Sequence, residues 1–489
     1  MTASTGADAR NEESVLSGLD SAATTSVYWY LAVLACVGGF LFGYDTSVIG
    51  SVLVFIPYHL GSFATGYLVA GASLGAAVGA LGAGLLTDRY GRKSLLITDT
   101  AIFALGAILS AVTVNAAMLL SSRTLIGVAV GADSAIATAY IAELAPAGKR
   151  GQLSIIQQWM ITVGIFVSYL VALLIFKVAP KSAYGADWRI ILGLGAIPAL
   201  LALVLRTRMP ESPRWLMLQG RFADTQKALG KLGIDVSEEH VRRSAEQLTK
   251  TETTDTRERG QQKSKWTPGV KRALIVVCVF FFFQQITGIN IPFYYGPRLL
   301  AGLFQGTSSG ALAAAISGLQ AAAILGAVNM VATYFGFRWI DKIGRRPLAL
   351  AGFAGMAVFM VVASLGVAFL TGTPKIVLVM VGFSFFITSF AIGVGGTGWL
   401  IQGEVFPTSV RGRGAAIAAS VDWLANFAII EIFPALNKAI GLAWVMVLFA
   451  GLAVVAIAFV ARFLPETKGL SVEQVVTVFE EQAGSKAVA

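Results

Sequence analysis

Two sets of residues in this 489-residue chain are of types that could do chemistry where little water reaches. The first is an acid and a base far apart in sequence, Asp45 and Arg123, each set inside a long apolar stretch. Asp45 stands near the end of the first such stretch and Arg123 near the start of the fourth, so in a membrane both fall at a similar depth. A carboxylate there costs at least ~2.5 kcal/mol on insertion scales and calls for a partner or a purpose. Two readings stay open at this point: a structural ion pair that holds two helices together, or a titratable switch in which Asp45 releases Arg123 when it takes up a proton. The second set is amides. Gln284, Gln285 and Asn290 crowd the run Phe283-Gln-Gln-Ile-Thr-Gly-Ile-Asn. Each offers donors and an acceptor together, as a neutral, hydroxyl-rich ligand requires. Hydrogen bonding between helices is the plainer role for a lone amide, worth on average ~0.6 kcal/mol. Three of them around a helix interruption at Gly288 and Pro292 favour a ligand.

These residues need a scaffold, and composition names it. Hydrophobic residues make up 56% of the chain and charged residues 13%, and the mean hydropathy is +0.73. A soluble domain carries about 25% charge, so the fold class is an all-α, polytopic membrane protein. Twelve apolar spans can be laid out, at 28–50, 62–86, 94–114, 118–140, 152–176, 188–206, 271–295, 308–337, 347–369, 376–403, 414–436 and 441–464. They divide the chain into a tail (1–27), a first six-helix bundle (28–206), a helical linker (207–270), a second six-helix bundle (271–464) and a second tail (465–489). The first tail lacks the apolar core of a signal peptide. A net charge of +10 would fit nucleic acid, but most of the 37 Lys and Arg lie in loops that share one side. That asymmetry places both termini and the linker in the cytoplasm, with the bilayer rather than nucleic acid as the partner. Cys36 and Cys278 lie in separate apolar segments and His59 and His240 in separate loops, so no disulfide framework, metal site or cofactor is expected. Nor is there a nucleophile–base constellation, and the chain does not read as an enzyme.

The two halves repeat one another. Asp88-Arg-Tyr-Gly-Arg92 after the second span matches Asp341-Lys-Ile-Gly-Arg345 after the eighth, at an offset of 253. Glu143 and Arg150 match Glu404 and Arg411 at an offset of 261, and Pro210-Glu-Ser-Pro-Arg214 matches Pro465-Glu-Thr-Lys-Gly469 at 255. Three motifs recurring in order at nearly one spacing indicate a duplicated six-span unit, an architecture that holds its ligand near the membrane midplane between the halves. All the repeated charges fall at cytoplasmic helix ends. A single exposed pair among them is worth only ~0–1 kcal/mol. As a repeated set, Asp88, Arg92, Glu143, Arg150, Glu211, Arg214, Asp341, Arg345, Glu404, Arg411 and Glu466 read as a cytoplasmic gate, a ring of pairs that ties the halves together in the outward-open state and breaks when the inner side opens.

Further candidates lie within spans: Gln158, Asn329, Trp399, and the group Asp422, Trp423 and Asn426. An indole beside amides suits a pyranose, one face of which is rich in C–H, and mid-span Trp399 fits poorly as an interfacial anchor. Asp99, Asp133 and Glu431 are additional acids within apolar segments.

On these residues the chain resembles the sugar porter family of the major facilitator superfamily from Gly38 to Gly469. The resemblance rests on Gly43-Tyr-Asp, the Asp88 and Asp341 loop motifs, Glu143-Leu-Ala-Pro, Pro210-Glu-Ser-Pro-Arg, Gln284-Gln-Ile-Thr-Gly-Ile-Asn, Glu404-Val-Phe-Pro and Pro465-Glu-Thr-Lys-Gly. The loop motif alone marks the superfamily, whereas Pro-Glu-Ser-Pro-Arg together with Gln-Gln-x-Thr-Gly-x-Asn is specific to sugar porters. It implies that Gln158, Gln284, Gln285, Asn290 and Asn329 hydrogen-bond the substrate, that Phe42, Tyr294 and Trp399 shape the site, and that Tyr294 and Tyr295 lie near the outer gate. It also implies that an acid at Asp45 paired with Arg123 marks proton symport, since passive members typically carry asparagine there. Two features depart from the family pattern. The run Gly393-Val-Gly-Gly-Thr-Gly-Trp lacks its usual prolines, and Asp422 replaces an amide. Asp422 reads as a second titrating group or as a contact for a polyol or an amine-bearing ligand. The resulting expectation is a monomeric proton symporter of the cell membrane that imports a monosaccharide or polyol by alternating access. A passive facilitator, a transporter-like sensor and an organic-acid symporter are the alternatives.

Overall fold

A computed structural model of the chain describes residues 26–144, 150–179, 183–246, 266–304, 310–406, 408–470 and 472–484. In hydrocarbon a backbone must satisfy its own polar groups, and helices do so within one segment. Twelve helices among the described residues are long and apolar enough to cross a membrane. Spans 1 to 6 are Ser26–Val52, Ser62–Gly84, Arg92–Ala111, Ala116–Ile141, Ile156–Val178 and Gly185–Arg206. Spans 7 to 12 are Pro268–Ile286, Ala311–Ile343, Arg345–Phe369, Gly372–Glu404, Gly412–Ile440 and Leu442–Phe463.

The packing obeys the repeat. In the first half span 2 lies on span 4, span 1 on span 5, and span 3 on spans 4 and 6. In the second half span 8 lies on span 10, span 7 on span 11, and span 9 on spans 10 and 12. Adding six to each number of the first set gives the second set. Between the halves the main seams are span 2 with span 11 and span 5 with span 8, which the same operation interchanges. The fold is therefore two pseudo-symmetric six-helix bundles of the major facilitator type.

Lipid supplies no hydrophobic force between helices, so small residues and close packing decide which faces meet. A Cβ added at Gly75 or Gly79 of span 2 would fall 2.1 Å from the carbonyl oxygen of Thr124 or Val128 in span 4. In return, Gly127 and Gly131 of span 4 pack on Ala72 and Ala76. Both helices thus carry a small residue every fourth position on the shared face. Large side chains such as Leu174, Ile197, Phe369 and Trp444 are instead exposed, as faces turned to hydrocarbon are. The linker helices Pro213–Leu218 and Phe222–Lys231 close the basic end of the first half, where Met217, Leu229 and Leu232 join Leu31, Leu34 and Ile141 in one buried cluster. The helix Val472–Gly484 packs at the start of span 7, where a Glu480 carboxylate oxygen accepts from the Gly269 N–H at 3.0 Å.

Four spans are interrupted among the described residues. Span 6 breaks at Leu194 and Gly195, between Trp188–Gly193 and Ala196–Arg206. Span 1 breaks its ladder at Cys36, and span 10 breaks at Val394 within its glycine run, without a proline. Span 7 ends its regular helix at Ile286, then resumes as Ile291–Tyr294 and Gly296–Phe304. Gly288 makes that turn with φ +83, and a Cβ there would lie 2.5 Å from the Phe449 ring. We predict that Gly288→Ala combines left-handed strain of about 1–2 kcal/mol with overpacking of about 1–3 kcal/mol. A clearly lower thermal unfolding midpoint in detergent is the expected result, and an unchanged midpoint would show that the turn re-forms without cost.

Candidate functional site

The Asp45–Arg123 ion pair is deeply buried. Arg123, fully buried, forms a salt bridge through Nη1 to Asp45 Oδ1, and its Nε donates to the Leu68 carbonyl at 3.3 Å. Its Nη2 makes no hydrogen bond among the described residues. Span 1 contributes Asp45, span 4 contributes Arg123 and span 2 contributes the carbonyl, so the pair ties three helices of one half. The next residue, Thr46, places its hydroxyl 3.5 Å from the hydroxyl of Tyr294 in the other half.

The span 7 interruption gathers the amides. Gln285 Nε2 donates to Asp422 Oδ1 at 2.7 Å, and Asn290 Nδ2 donates to Gln285 Oε1 at 2.8 Å and to Asn426 Oδ1 at 3.0 Å. Asn426 Nδ2 then donates across the seam to Ser73 Oγ of span 2 at 3.0 Å. Ser73 also lies beside Tyr294, which is within electrostatic reach of Asp45 and Arg123. Hydrogen bonds thus run from Asp422 through Gln285, Asn290 and Asn426 to Ser73, and Tyr294 stands between Ser73 and Thr46, the residue next to Asp45. Neither Ser73 nor Thr46 was among the sequence candidates. Thr46 is signalled only by adjacency to Asp45, and Ser73 only as a hydroxyl within the run Gly71-Ala-Ser-Leu-Gly.

The remaining candidates surround this run. Gln284 turns the other way, its Nε2 3.5 Å from the Gly395 carbonyl and its buried Oε1 close to Gly398. Trp399 is half-buried against Phe281, with ring centroids 5.0 Å apart. Phe42 meets Trp423 edge-on across the halves at 4.9 Å. Asn329, buried on span 8, and Gln158, half-buried on span 5, sit on the two helices of the second seam, where Gly326 packs on Phe166 and Tyr169. Among the described residues no hydrogen bond joins either of them to the polar run. Glu431 lies at the span 2–span 11 seam against Gly66.

The end of the molecule opposite the basic face is sealed. A Cβ on Gly50 of span 1 would lie 2.5 Å from the Tyr294 carbonyl oxygen and 2.9 Å from that of Phe293. Tyr169 donates to the Phe293 carbonyl at 2.7 Å, and Tyr295 donates to that of Ile430 at 3.0 Å while stacking on Phe433. Tyr294 and Tyr295 are both buried.

At the basic face the repeat is executed almost atom for atom. Arg92 Nη2 lies 2.8 Å from Glu143, and Arg345 Nη2 lies 2.7 Å from Glu404. Arg92 Nη1 also donates to the carbonyl five residues back, Thr87, as Arg345 Nη1 does to Ile340. Glu211 accepts from the backbone N–H groups of Arg92 and Lys93, and Glu466 from those of Arg345 and Arg346. Each carboxylate thus stands at the positive end of a helix, where negative charge is stabilised. Arg214 donates to the Glu143 carbonyl at 3.2 Å, and Asp341 pairs with Arg345 at 3.1 Å. Among the described residues each of these ion pairs lies within one half. The reason is topological: spans 4 and 6 both pack on span 3, so the acids that end them meet the base that starts it. A ring between the halves is expected only while the basic face is closed, and to break when that face opens. The side chains of Asp88, Arg150 and Arg411 lie outside the described residues.

Known proteins resemble this chain in sequence and fold. Residues 31–479 match the family described as sugar (and other) transporters. The glucose transporter GlcP of Staphylococcus epidermidis is 32% identical over 464 residues, covering 94% of this chain and 98% of that protein. The arabinose-proton symporter of Bacillus subtilis is 30% identical over 453 residues, covering 91% and 94%. Among solved structures, the partially occluded inward-open form of the xylose transporter XylE from E. coli superposes with a TM-score of 0.77 at 28% identity, covering 91% of this chain and 100% of that one. XylE bound to 6-bromo-6-deoxy-D-glucose, described as a proton:xylose symporter, gives 0.74 over 93% and 99%.

Proposed function

The chain belongs to the sugar porter family of the major facilitator superfamily, and from that membership we propose that it imports a monosaccharide or related polyol in symport with a proton. It does so as a monomer in the cell membrane, with its basic face in the cytoplasm, and performs no covalent chemistry. Asp45 is the proton carrier, and Arg123 is the cation it holds and releases. Gln284, Gln285, Asn290, Asp422 and Asn426 bind the sugar hydroxyls, joined by Gln158 and Asn329 from the second seam. Phe42, Trp399 and Tyr294 shape the site.

One observation carries the reading: hydrogen-bonded side chains cross from Asp422 in one half to Ser73 in the other, where Tyr294 and Thr46 lead on toward Asp45. Every amide in it is already hydrogen-bonded, so a sugar must exchange these bonds for its own. Such an exchange at Asn426 and Ser73 reaches Tyr294 and Thr46, beside the ion pair. With Asp45 protonated, Arg123 loses its counter-charge, and the sealed face opens to admit sugar. Tyr294 and Tyr295 then close that face over the ligand. At the basic face, the clusters around Arg92 and Arg345 keep each bundle rigid while the bundles rock. Release of sugar and then of the proton restores the pair. Arabinose and xylose relatives described as proton symporters support the coupling.

The test is simultaneous recording of internal pH and labelled solute in proteoliposomes, across hexoses, pentoses and polyols with and without a proton gradient. Acid entry that tracks solute entry is expected. Solute climbing its gradient with no acid entry would overturn the reading. At the ligand, Gln285→Ala removes a bond to the substrate and leaves Asp422 without its donor. Leaving a buried sugar hydroxyl without its partner costs about 1–3 kcal/mol, so binding should weaken by about 5- to 150-fold. Unchanged affinity by calorimetry would remove Gln285 from the site.

A further inference from the structure

A second buried charge cluster lies in the first half, and the transport cycle above makes no use of it. Arg206, at the end of span 6, reaches Asp99 of span 3 through Nη1 at 2.9 Å and Asp133 of span 4 through Nη2 at 2.6 Å. The three residues are 1%, 3% and 4% exposed. The other N–H groups of Arg206 are also engaged. Nη1 donates to Thr100 Oγ1 at 2.6 Å and to the Leu96 carbonyl at 2.8 Å, and Nη2 donates to the Ala35 carbonyl at 2.8 Å. Nε stands 3.5 Å from the Leu34 carbonyl. The Ala35 carbonyl is free to accept because span 1 breaks there: the Gly39 N–H donates to Cys36 at 2.9 Å rather than one residue further back.

Each carboxylate keeps one oxygen, Oδ2, with no hydrogen bond among the described residues. Asp133 Oδ2 occupies the place of an absent side chain, since a Cβ on Gly38 would lie 1.7 Å from it. Both acids line a cavity of about 10 Å³ with Gly38, Leu41, Phe103 and Arg206, room for about one water. Two negative charges face one positive charge. Among the described residues no other cation acts on either carboxylate, and Cys36 and Tyr140 are the remaining titratable neighbours of Arg206.

We propose that Asp99, Asp133 and Arg206 form a second proton-binding site, separate from Asp45–Arg123, holding one proton on a carboxylate oxygen that Arg206 leaves free. The proton supplies the missing positive charge. Without it, an uncompensated carboxylate stays inside the span region, where unpaired charge is strongly disfavoured. A metal ion fits less well, because the guanidinium already fills the inner side of both carboxylates and the cavity holds no shell of further ligands. The site also bears on transport. Arg206 grips both acids and the break in span 1, and Asp45 lies on that helix seven residues beyond Gly38, about 10 Å along its axis. The proposal does not depend on Asp45 being the coupling residue.

Infrared spectroscopy of the reconstituted protein, with ¹³C-labelled aspartate to identify the carboxylic acid C=O band, tests it directly. The background is the double variant Asp45→Asn/Asp422→Asn, which removes the other two aspartates of the polar run. An aspartic acid band is expected to remain at neutral pH. It should vanish on adding Asp99→Asn or Asp133→Asn, each of which leaves a balanced one-to-one pair with Arg206. No band in the double background, or a band indifferent to both additional changes, overturns the proposal. Should either addition fail to fold, Thr100→Val removes a hydroxyl bonded within the cluster while conserving its shape. That variant must shift the band, and an unmoved band is equally decisive against the site.

Discussion

Replacing Asp45 by asparagine is expected to abolish uphill accumulation while sugar-for-sugar exchange across the membrane continues. Asparagine has the shape of the carboxyl but no charge, so it fixes the protein in a copy of the protonated state, with Arg123 released. A membrane potential supplies about 2.3 kcal/mol per charge per 100 mV, equivalent to roughly 50-fold accumulation. In the variant that ratio should fall to about one, because no step remains in which a proton must move with the sugar. Arg123 loses the partner of its Nη1, and truncating one member of a buried pair costs about 3–5 kcal/mol when the other stays charged and dry. Lower thermal stability should therefore accompany the loss of coupling. Counterflow of labelled sugar in proteoliposomes, with the potential clamped, separates the two effects. Accumulation that survives in a folded Asp45→Asn protein would sink the assignment of the proton to this residue.

Gly50→Leu should leave ligand binding intact and stop transport. Its Cβ would enter the space of the Tyr294 and Phe293 carbonyl oxygens, at 2.5 and 2.9 Å. Backbone carbonyls held in a helix cannot swing aside as a flexible side chain would. Closure of the sealed face then costs about 3 kcal/mol, a population shift on the order of 100-fold toward the form open on that side. The expected readout is ligand affinity near that of the unaltered protein, together with exchange reduced by a similar factor. A cysteine placed beside Tyr295 should also become reactive to an impermeant thiol reagent. Normal exchange would mean that the Gly50–Tyr294 contact is not the closing surface.

Both expectations concern contacts between residues hundreds of positions apart, and this is where sequence and structure part company. Twelve spans, the duplication and the family were legible because each rests on local pattern: apolar length, the basic asymmetry of loops, and motifs repeated at 253, 261 and 255 residues. The Asp45–Arg123 pairing was legible for a related reason, since two charges at one depth in neighbouring helices have few other partners. The interruption of span 7 could also be foreseen, because Gly288 and Pro292 announce it.

What each charge meets was a different matter. Glu211 and Glu466 could be recognised as repeated acids, but their seats on the N–H groups of Arg92 and Arg345 depend on span 6 returning beside span 3 and span 12 beside span 9. The same packing keeps the described basic-face ion pairs within one half in this conformation. Ser73 drew no attention in its glycine–alanine run, yet the span 2–span 11 seam makes it the one hydroxyl that Asn426 donates to. Asp99, Asp133 and Arg206 read as three scattered charges until spans 3, 4 and 6 bring them onto one guanidinium. The sequence by itself determined how often the chain crosses the membrane, its internal symmetry and the class of ligand to expect, because hydropathy and repeats are properties of consecutive residues. The tertiary structure alone decided which polar groups share a site, because hydrogen bonds act over about 3 Å and only helix packing brings distant residues that close.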